Sequence, residues 1–572
     1  MSYIVEQPKG NGIVHLYWAT NRRRPGKGHP QQQRKYLGVL APEKRELLLG
    51  RNVGVLTDAQ KAGLAAKGIA WNGRRASRAG RKPKVPGGAS GNLAGARVEE
   101  TGRPGLLGDI AERIGLTRAL EAAFGTDASA ALVGGIYEAC GGGALSRLPD
   151  WASDMPLASA AAAFSGAGAT RLCARLGAPA PMEAFWRAWF EACGRPRSLI
   201  GDTTSFSSHS ERISLIEWGY NRDKEDLPQL NLNRVHAAEL DLPLYFRAIP
   251  GSVPDVATLA TTAEILRALG LTDFEFSLDR GFYSSANLWH FHDAGIGFTI
   301  GAPLGHENSA VRAAVAACRA DLRKFSARLV LGDGKVLSHA QTPFVLSRKN
   351  PKTGRKESFS ATAHVYFDDA RRAADLADLT ALLDALLREA AAENFASRDE
   401  ARDWIDRHGP AARRHLAVAE DTPAVAVRED AYALASDHLG IFVILNSNPA
   451  ADGLSTLLDN RKRDLQEKIF DIWKNDTANN RLRAATDPTA LGRLFLGFLG
   501  TVLRKALERE LRRAGLLQKH TVNAALDLAA KHRVLRLSNG ETIPLELPKK
   551  VRLLYSALAL SLPQPPETSS LK

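Results

Sequence analysis

Periodicity divides this chain before any chemistry is considered. Residues 3–20 alternate apolar and polar around Ile13-Val14-His15-Leu16-Tyr17-Trp18, the two-residue period of a strand. The basic stretch NRRRPGKGHPQQQRK then predicts a loop, and Tyr36-Leu37-Gly38-Val39-Leu40 predicts a second strand. Residues 105–196 take helical spacing, as in GDIAERIGLTRALEAAF and PMEAFWRAWFEACG, whose aromatics read as helix-packing core. At residue 197 the pattern changes. Residues 198–205 read as a short buried strand ending in an acid, Asp202. Residues 230–239 and 242–251 read as two further strands, and 255–270 as a helix between Pro254 and Gly270. Residues 274–281 give another strand ending in an acid, Asp279, followed by a helix near 284–294 and a strand at 297–300. This order predicts an α/β sheet with acids at two strand ends, where ligands bind in such sheets.

Residues 302–438 interrupt that sheet. They mix a helix, DDARRAADLADLTALLDALLREAAAE, with strand-like runs in FSARLVLGD, AHVYF and AVAVRE. A core strand resumes at Ile441-Phe442-Val443-Ile444-Leu445, so the insert reads as a domain rather than a loop. Residues 488–533 are helical, with apolar stripes that suit core packing or dimerisation equally. A strand pair about Ser538-Asn539-Gly540 and a helix near 549–561 follow. The expected division is a basic β-rich DNA-binding region (1–72), a basic flexible linker (73–104) and a helical domain (105–196). Beyond these come the first part of an α/β core (197–301), an inserted α+β domain (302–438), the second part of the core (439–485) and a mostly helical C-terminal region (486–572).

Composition changes this picture in one respect. At 572 residues, 44% hydrophobic and 24% charged, the chain is ordinary for a multidomain globular protein. Its net charge of +14 is unevenly placed: residues 1–100 hold 19 Lys/Arg against 6 Asp/Glu, and the other 472 residues hold 57 against 56. Concentrated positive charge suits a polyanion, most often nucleic acid. Arg22, Arg23, Arg24, Arg34 and Lys35 in the first loop, with Arg74 and Arg75 at the start of the linker, are the candidate phosphate contacts. No apolar run of membrane-spanning length occurs, and MSYIVEQPKG lacks the pattern of a signal peptide, so no membrane association is expected. Cys140, Cys173, Cys193 and Cys318 have neither zinc spacing nor the density of a disulfide framework, which fits a reducing, cytoplasmic setting. No Gly-x4-Gly-Lys-Ser/Thr loop is present, so no nucleotide cofactor is expected.

The chemistry concentrates in three acids. In DNRKRDLQEKIFDIWK (459–474) helical spacing puts Arg463, Glu467 and Lys474 within roughly 40° of one another. Asn460 falls on the same stripe, while Leu458, Leu465, Ile469 and Ile472 fall on the side expected to pack. Taken singly, Asp202 and Asp279 read as turn or cap residues and Glu467 as one end of a surface i,i+4 pair. Brought together, they would form a carboxylate cluster suited to two Mg²⁺ ions and to phosphodiester displacement.

These motifs resemble those of the DDE transposases of bacterial insertion sequences. Within them the chain is similar to the cut-and-paste branch with the pattern Y-x2-R-x3-E-x6-K. Asn460, Arg463, Glu467 and Lys474 match that spacing at every position, with Asn460 in place of the usual Tyr. IGDTTSFSS and SLDRGFYS resemble the first and second acid motifs, and EWGYNRDKEDLPQLNL and KNDTANNRLRA also look typical of the group. The resemblance implies an RNase H-like catalytic core interrupted by an inserted α+β domain. It implies Asp202, Asp279 and Glu467 as catalytic metal ligands for two Mg²⁺ ions, with Mn²⁺ as a substitute, and Arg463 and Lys474 as DNA phosphate ligands. It further implies binding of terminal inverted repeats, cleavage and strand transfer into target DNA, a homodimer assembled on double-stranded DNA, and a bacterial, nucleoid-associated location. In relatives an aromatic of the insert stacks a flipped base, for which Trp404, Tyr432 and Phe442 are the candidates here. The alternatives are a non-catalytic DNA-binding protein derived from a transposase and an RNase H-like nuclease without strand transfer.

Overall fold

The structure is a computed structural model that describes residues 2–8, 14–22, 31–41, 45–50, 53–73, 95–220, 225–305, 308–350, 353–462, 482 and 484–560. It divides into two units, Met1–Gly91 and Asn92–Lys572. Both are mixtures of helix and sheet, and among the described residues no helix is long and apolar enough to cross a membrane.

In the first unit, strands β1 (Ser2–Pro8), β2 (Val14–Arg22), β3 (Gln31–Ala41) and β4 (Glu46–Leu49) form an antiparallel meander in chain order. The alternation seen in sequence buries Ile4, Leu16, Leu37, Leu40, Leu47 and Leu49 on one face. The helix Asp58–Ala65 starts at a capping box made by Thr57 and Gln60 and adds Leu64 to this core. Gly63 rests on the Trp18 ring, where a Cβ would stand 2.7 Å from the ring edge. β3 begins earlier than expected. Arg34 and Lys35 belong to it, opposite Ala19 and Trp18, rather than to a loop, because β2 extends far enough to pair with them. Arg23, Arg24, Arg74 and Arg75 lie outside the described residues, as does the side chain of Arg22.

The second unit opens with β5 (Arg97–Glu100), a segment expected in the flexible linker. It instead pairs antiparallel with a strand near the other end of the chain, and Arg536 Nε donates to Glu99 at 2.6 Å. The helical region that follows includes Ala128–Ala139, Gly168–Leu176 and Pro179–Ala192, all packed on the long helix Asp487–Arg513. Glycines let the backbones close: a Cβ on Gly492 would stand 1.9 Å from the Cys173 carbonyl oxygen, and one on Gly500 2.5 Å from Glu138 Cβ. Arg493 donates to the fully buried Glu138 and also to the Gly143 carbonyl, while Phe185, Trp186, Phe495 and Phe498 interlock edge to face. The apolar positions of Asp487–Arg513 are therefore taken up by the chain's own core. The four cysteines are free thiols.

The main sheet is built from β6 (Ser198–Ser207), β7 (Gln229–Ala237), β8 (Leu242–Pro250), β9 (Glu275–Leu278) and β10 (Gly297–Ala302), followed by β11 (Arg328–Val330), β12 (Val336–Lys349) and β13 (Lys356–Phe367). Two short strands, β14 (Leu416–Val418) and β15 (Val425–Val427), pair with each other. β16 (Ile441–Asn446) completes the main sheet, whose order is β11-β12-β13-β16-β10-β9-β6-β7-β8. β6 and β10 flank β9 in parallel, and the other neighbours are antiparallel. The 302–438 segment thus splits. Its strands β11 to β13 extend the main sheet. The helices Asp369–Ala392 and Arg398–Arg407 hold a small separate core with Leu383, Leu386, Trp404, Ile405 and Leu416. β17 (Arg533–Arg536) and β18 (Thr542–Pro544) close a three-stranded sheet with β5.

Because Glu138 and Arg493 neutralise each other inside this core, Glu138→Ala strands a buried cation and lowers the unfolding free energy by about 3–5 kcal/mol, whereas the Glu138→Met/Arg493→Met pair recovers most of that loss. Denaturant titration of the two variants checks this.

Candidate active site

The site begins with strand register. β6 and β9 pair in parallel from Ser198↔Glu275 to Gly201↔Leu278. The next residue on each strand is an acid, Asp202 and Asp279. Neighbouring strands lie about 4.8 Å apart and alternate residues share a face, so each acid falls on the same side of its chain as Ile200 and Ser277, the pair two residues earlier. Both are partly buried. Each also closes a local turn of its backbone: Thr203 N–H donates to Asp202 Oδ1 at 2.7 Å and Arg280 N–H to Asp279 Oδ1 at 2.6 Å.

The two acids differ in one way from expectation. Asp279 follows the last residue of its strand, but Asp202 stands in the middle of β6 rather than at its end. β6 continues to Ser207 because β7 still pairs with it from Thr203↔Asn233 to Ser207↔Gln229, after β9 has stopped. Asp202 therefore marks the point where β6 parts from its parallel neighbour.

A cation that sequence reasoning missed stands across the strand. Arg234 of β7 is the register partner of Asp202 and is almost wholly buried. Burial pulls its guanidinium down to about 9, while the Asp202 carboxylate pulls it up, so it remains charged at neutral pH. The signal was present in LNLNRVHAAE, where one arginine interrupts a strand that is otherwise apolar, amide or imidazole.

Opposite faces of the sheet have different covers. Leu199, Phe276 and Leu278 face the helices Leu259–Ala268 and Ser285–Ala294, where Phe276 and Phe291 lie 5.9 Å apart. On the other face, which Ile200, Asp202 and Ser277 share by alternation, the helix Gly453–Arg461 lies over β9, β10 and β16. Ser277 Oγ donates to the Asp459 carbonyl at 3.2 Å. Asn446 Nδ2 donates to Thr299 Oγ1 at 3.2 Å and to Thr456 Oγ1 at 3.1 Å. Thr456 meets the ring of His364 at 3.5 Å, and His364 meets His339 at 3.1 Å. Tyr366 OH donates to the Gly453 carbonyl at 2.7 Å. Of the expected packing residues only Leu458 lies among the described ones, and it does not pack, while Leu465, Ile469 and Ile472 lie outside them. Leu458, placed on the packing side by its spacing, is 48% exposed, and the stripe of Gly453, Thr456 and Leu457 turns to the sheet because its hydroxyl finds partners there. Asn460 continues that stripe, with its Nδ2 buried and without a hydrogen-bond partner among the described residues. His339 escaped notice because β12 was not foreseen.

Arg463, Glu467 and Lys474 lie outside the described residues. Among the described residues no three His, Cys, Asp or Glu side chains form a metal cluster; Asp202 and Asp279 each follow the last register pair of β6 and β9, Gly201↔Leu278. The aromatic candidates separate. Trp404 is buried in the small core and stacked 3.7 Å from His408, so it is packing. Phe442 stacks on Tyr366 at 4.9 Å, and Tyr432 packs against the same core as Trp404.

No protein-family model matches the chain, and no curated protein matches it in sequence. Among solved structures, the chain is similar to piggyBac transposase in a synaptic complex with hairpin DNA, at 9% identity over 82% of this chain and 84% of that one. The TM-score of 0.32 is too low to establish a shared fold.

Two buried histidines, His364 under the helix and His236 on β7, give a pH dependence. Burial, then neighbouring His339, holds His364 down at about 4, and burial likewise holds His236 at about 4, against an ordinary value near 6.5. Between those values the unfolded chain binds protons that the folded chain does not, so stability falls as pH drops from about 6.5 to 4, by up to about 3 kcal/mol per histidine. Urea unfolding across this range is expected to show the slope, and His364→Gln to flatten part of it.

Proposed function

We propose that this chain is a DNA transposase of the DDE type, with Asp202, Asp279 and Glu467 as its catalytic carboxylates. The observation that carries the reading is the β6–β9 register, whose last pair, Gly201↔Leu278, is followed on each chain by an acid. Motif spacing supplies the rest: Arg463, Glu467 and Lys474 keep the R-x3-E-x6-K intervals downstream of the helix that covers this face. The strand order β8-β7-β6-β9-β10, three antiparallel strands and then two parallel ones, supports an RNase H-like core with acids on its first and fourth strands.

Two adjacent carboxylates are the donor set that Mg²⁺ prefers, an oxygen cluster of few protein ligands completed by substrate phosphate. Asp202 and Asp279 would hold the metal, with Glu467 as the third ligand. When bound, Mg²⁺ or Mn²⁺ supplies activation of the attacking oxygen and stabilisation of the leaving one. Arg234 balances the charge of Asp202 from the adjacent strand. Arg463 and Lys474 are assigned to a DNA phosphate beside the scissile bond. The basic first unit, including Arg34 and Lys35 on β3, supplies sequence-independent grip on the duplex. The substrates are the terminal inverted repeats of the element and a target duplex, with a homodimer as the working assembly on DNA.

Asp279→Asn is expected to retain DNA-end binding and to lose Mg²⁺-dependent cleavage by at least about a thousandfold. A gel-shift and plasmid-cleavage pair reads both, and retained cleavage would remove the metal-ligand assignment. Arg34→Ala/Lys35→Ala is expected to weaken binding to all duplexes alike and to reduce the slope of log K against log salt by about 2. Titrations at several salt concentrations measure that slope.

A further inference from the structure

The helix Gly453–Arg461 has little apolar hold on the sheet that it covers. Leu457 is the one large apolar side chain it buries fully, while Leu454 and Leu458 are 38% and 48% exposed. Its first turns rest instead on two imidazoles of the inserted strands, His339 on β12 and His364 on β13. His339 is the register partner of Tyr366 and His364 that of Gln341, so both rings fall on the covered face. A short element held mainly by polar contacts opens at a smaller free energy than the sheet beneath it.

The two rings are placed by direct contact. His339 Nε2 meets His364 Nδ1 at 3.1 Å, and His364 Nε2 reaches Thr456 Oγ1 of the helix at 3.5 Å. His339 also lies against the start of the helix, where a Cβ on Gly453 would stand 2.3 Å from its ring. Only glycine lets ring and backbone come this close. Two nitrogens at 3.1 Å need one hydrogen and one lone pair between them. Two neutral rings supply that arrangement and two protonated rings do not.

A first proton is opposed by burial. His364 is fully buried, and burial, then His339, holds it at about 4; burial also holds His339 below its ordinary value. Among the described residues the charged group acting on both rings is Asp452, which caps the helix at the Leu454 and Ser455 N–H groups and favours the proton. β13 adds Tyr366, whose phenol burial keeps neutral, and β16 adds Phe442, Ile444 and Asn446, none of them charged. The helix Ser309–Cys318 packs on the opposite face of these strands, with Val311 and Val315 in the core that holds Ala340 and Val365. When the covering helix lifts, His364 meets water and regains an ordinary value near 6.5. Between about 6.5 and 4 the lifted state therefore binds a proton that the seated state excludes, so acid favours lifting.

We propose that His339 and His364 are a positioning pair that seats the helix Gly453–Arg461 while both rings are neutral and releases it in acid. Its consequence for catalysis rests on the transposase reading, in which Glu467 follows this helix in sequence. The test is hydrogen exchange, read by mass spectrometry on the full-length protein, with labelling times scaled to the intrinsic exchange rate at each pH. Between about pH 7.5 and about pH 5, opening of residues 453–461 is expected to become roughly 30-fold more frequent through His364 alone, while β6 and β9 keep their protection. His364→Gln, whose amide replaces both hydrogen bonds without taking up a proton, should keep the protection at neutral pH and lose its pH dependence. His339→Gln, a second variant that leaves His364 in place, should weaken the dependence. Plasmid cleavage by wild type, divided by that of His364→Gln at each pH, should fall as the helix loses protection. Helix exchange that ignores pH, or a dependence that survives in His364→Gln, overturns the pair. Protection lost from the helix, β6 and β9 together is global unfolding and overturns it as well. The expected exchange pattern in a protein that cleaves no DNA at any pH supports the pair and counts against the transposase reading instead.

Discussion

The parallel pairing of β6 with β9 is the constraint on which the site depends. Its last register pair is Gly201 with Leu278, and one residue further each strand offers a carboxylate. A one-residue slip of either strand would send one acid to the opposite face, against the helices that cover Phe276 and Leu278. The apolar alternation of both strands therefore fixes the acids as firmly as it fixes the core. Arg234 then places a buried positive charge on the other side of Asp202, which offsets the repulsion between two neighbouring carboxylates.

Two kinds of packing make that sheet a rigid support. On the β7–β8 side, the helix Asp487–Arg513 ties the helical region to the sheet through Phe498 against Phe246 and Trp186, with Glu138 and Arg493 paired inside. Over β9, β10 and β16, the helix Gly453–Arg461 is anchored by polar links instead: Ser277, Asn446, Thr456, His364 and Tyr366. Hydrogen bonds are directional in a way that apolar contact is not, so this helix is set in rotation as well as in position. That rotation carries Asn460 toward the sheet and Leu458 toward solvent.

Much of the fold could be read from periodicity. The strands β6 to β10 and β16, the long helices and the helical region all follow from runs whose burial pattern is one-sided or complete. What escaped was decided by distant partners. β5 looks like linker until β17 pairs with it, and β12 looks like loop until β13 and β11 flank it. Asp202 looked like a strand end because nothing local shows that β7 outlasts β9 as a neighbour. That an acid follows each of the paired segments of β6 and β9 was legible in sequence, while Arg234 and the His339–His364 contact were not, since each acquires meaning only from the residue opposite. Glu467, Arg463 and Lys474 rest on motif spacing, and the covering helix that precedes them supplies their context.

The central claim is that Asp202 and Asp279 act on one shared divalent ion. The most direct measurement is Mn²⁺ binding, followed by electron paramagnetic resonance, in the wild type, Asp202→Asn, Asp279→Asn and the double variant. If the ion is shared, each single change removes the tight Mn²⁺ site as completely as the double change does. Retention of that site in either single variant, or losses that simply add, would show that the two carboxylates do not hold a common metal.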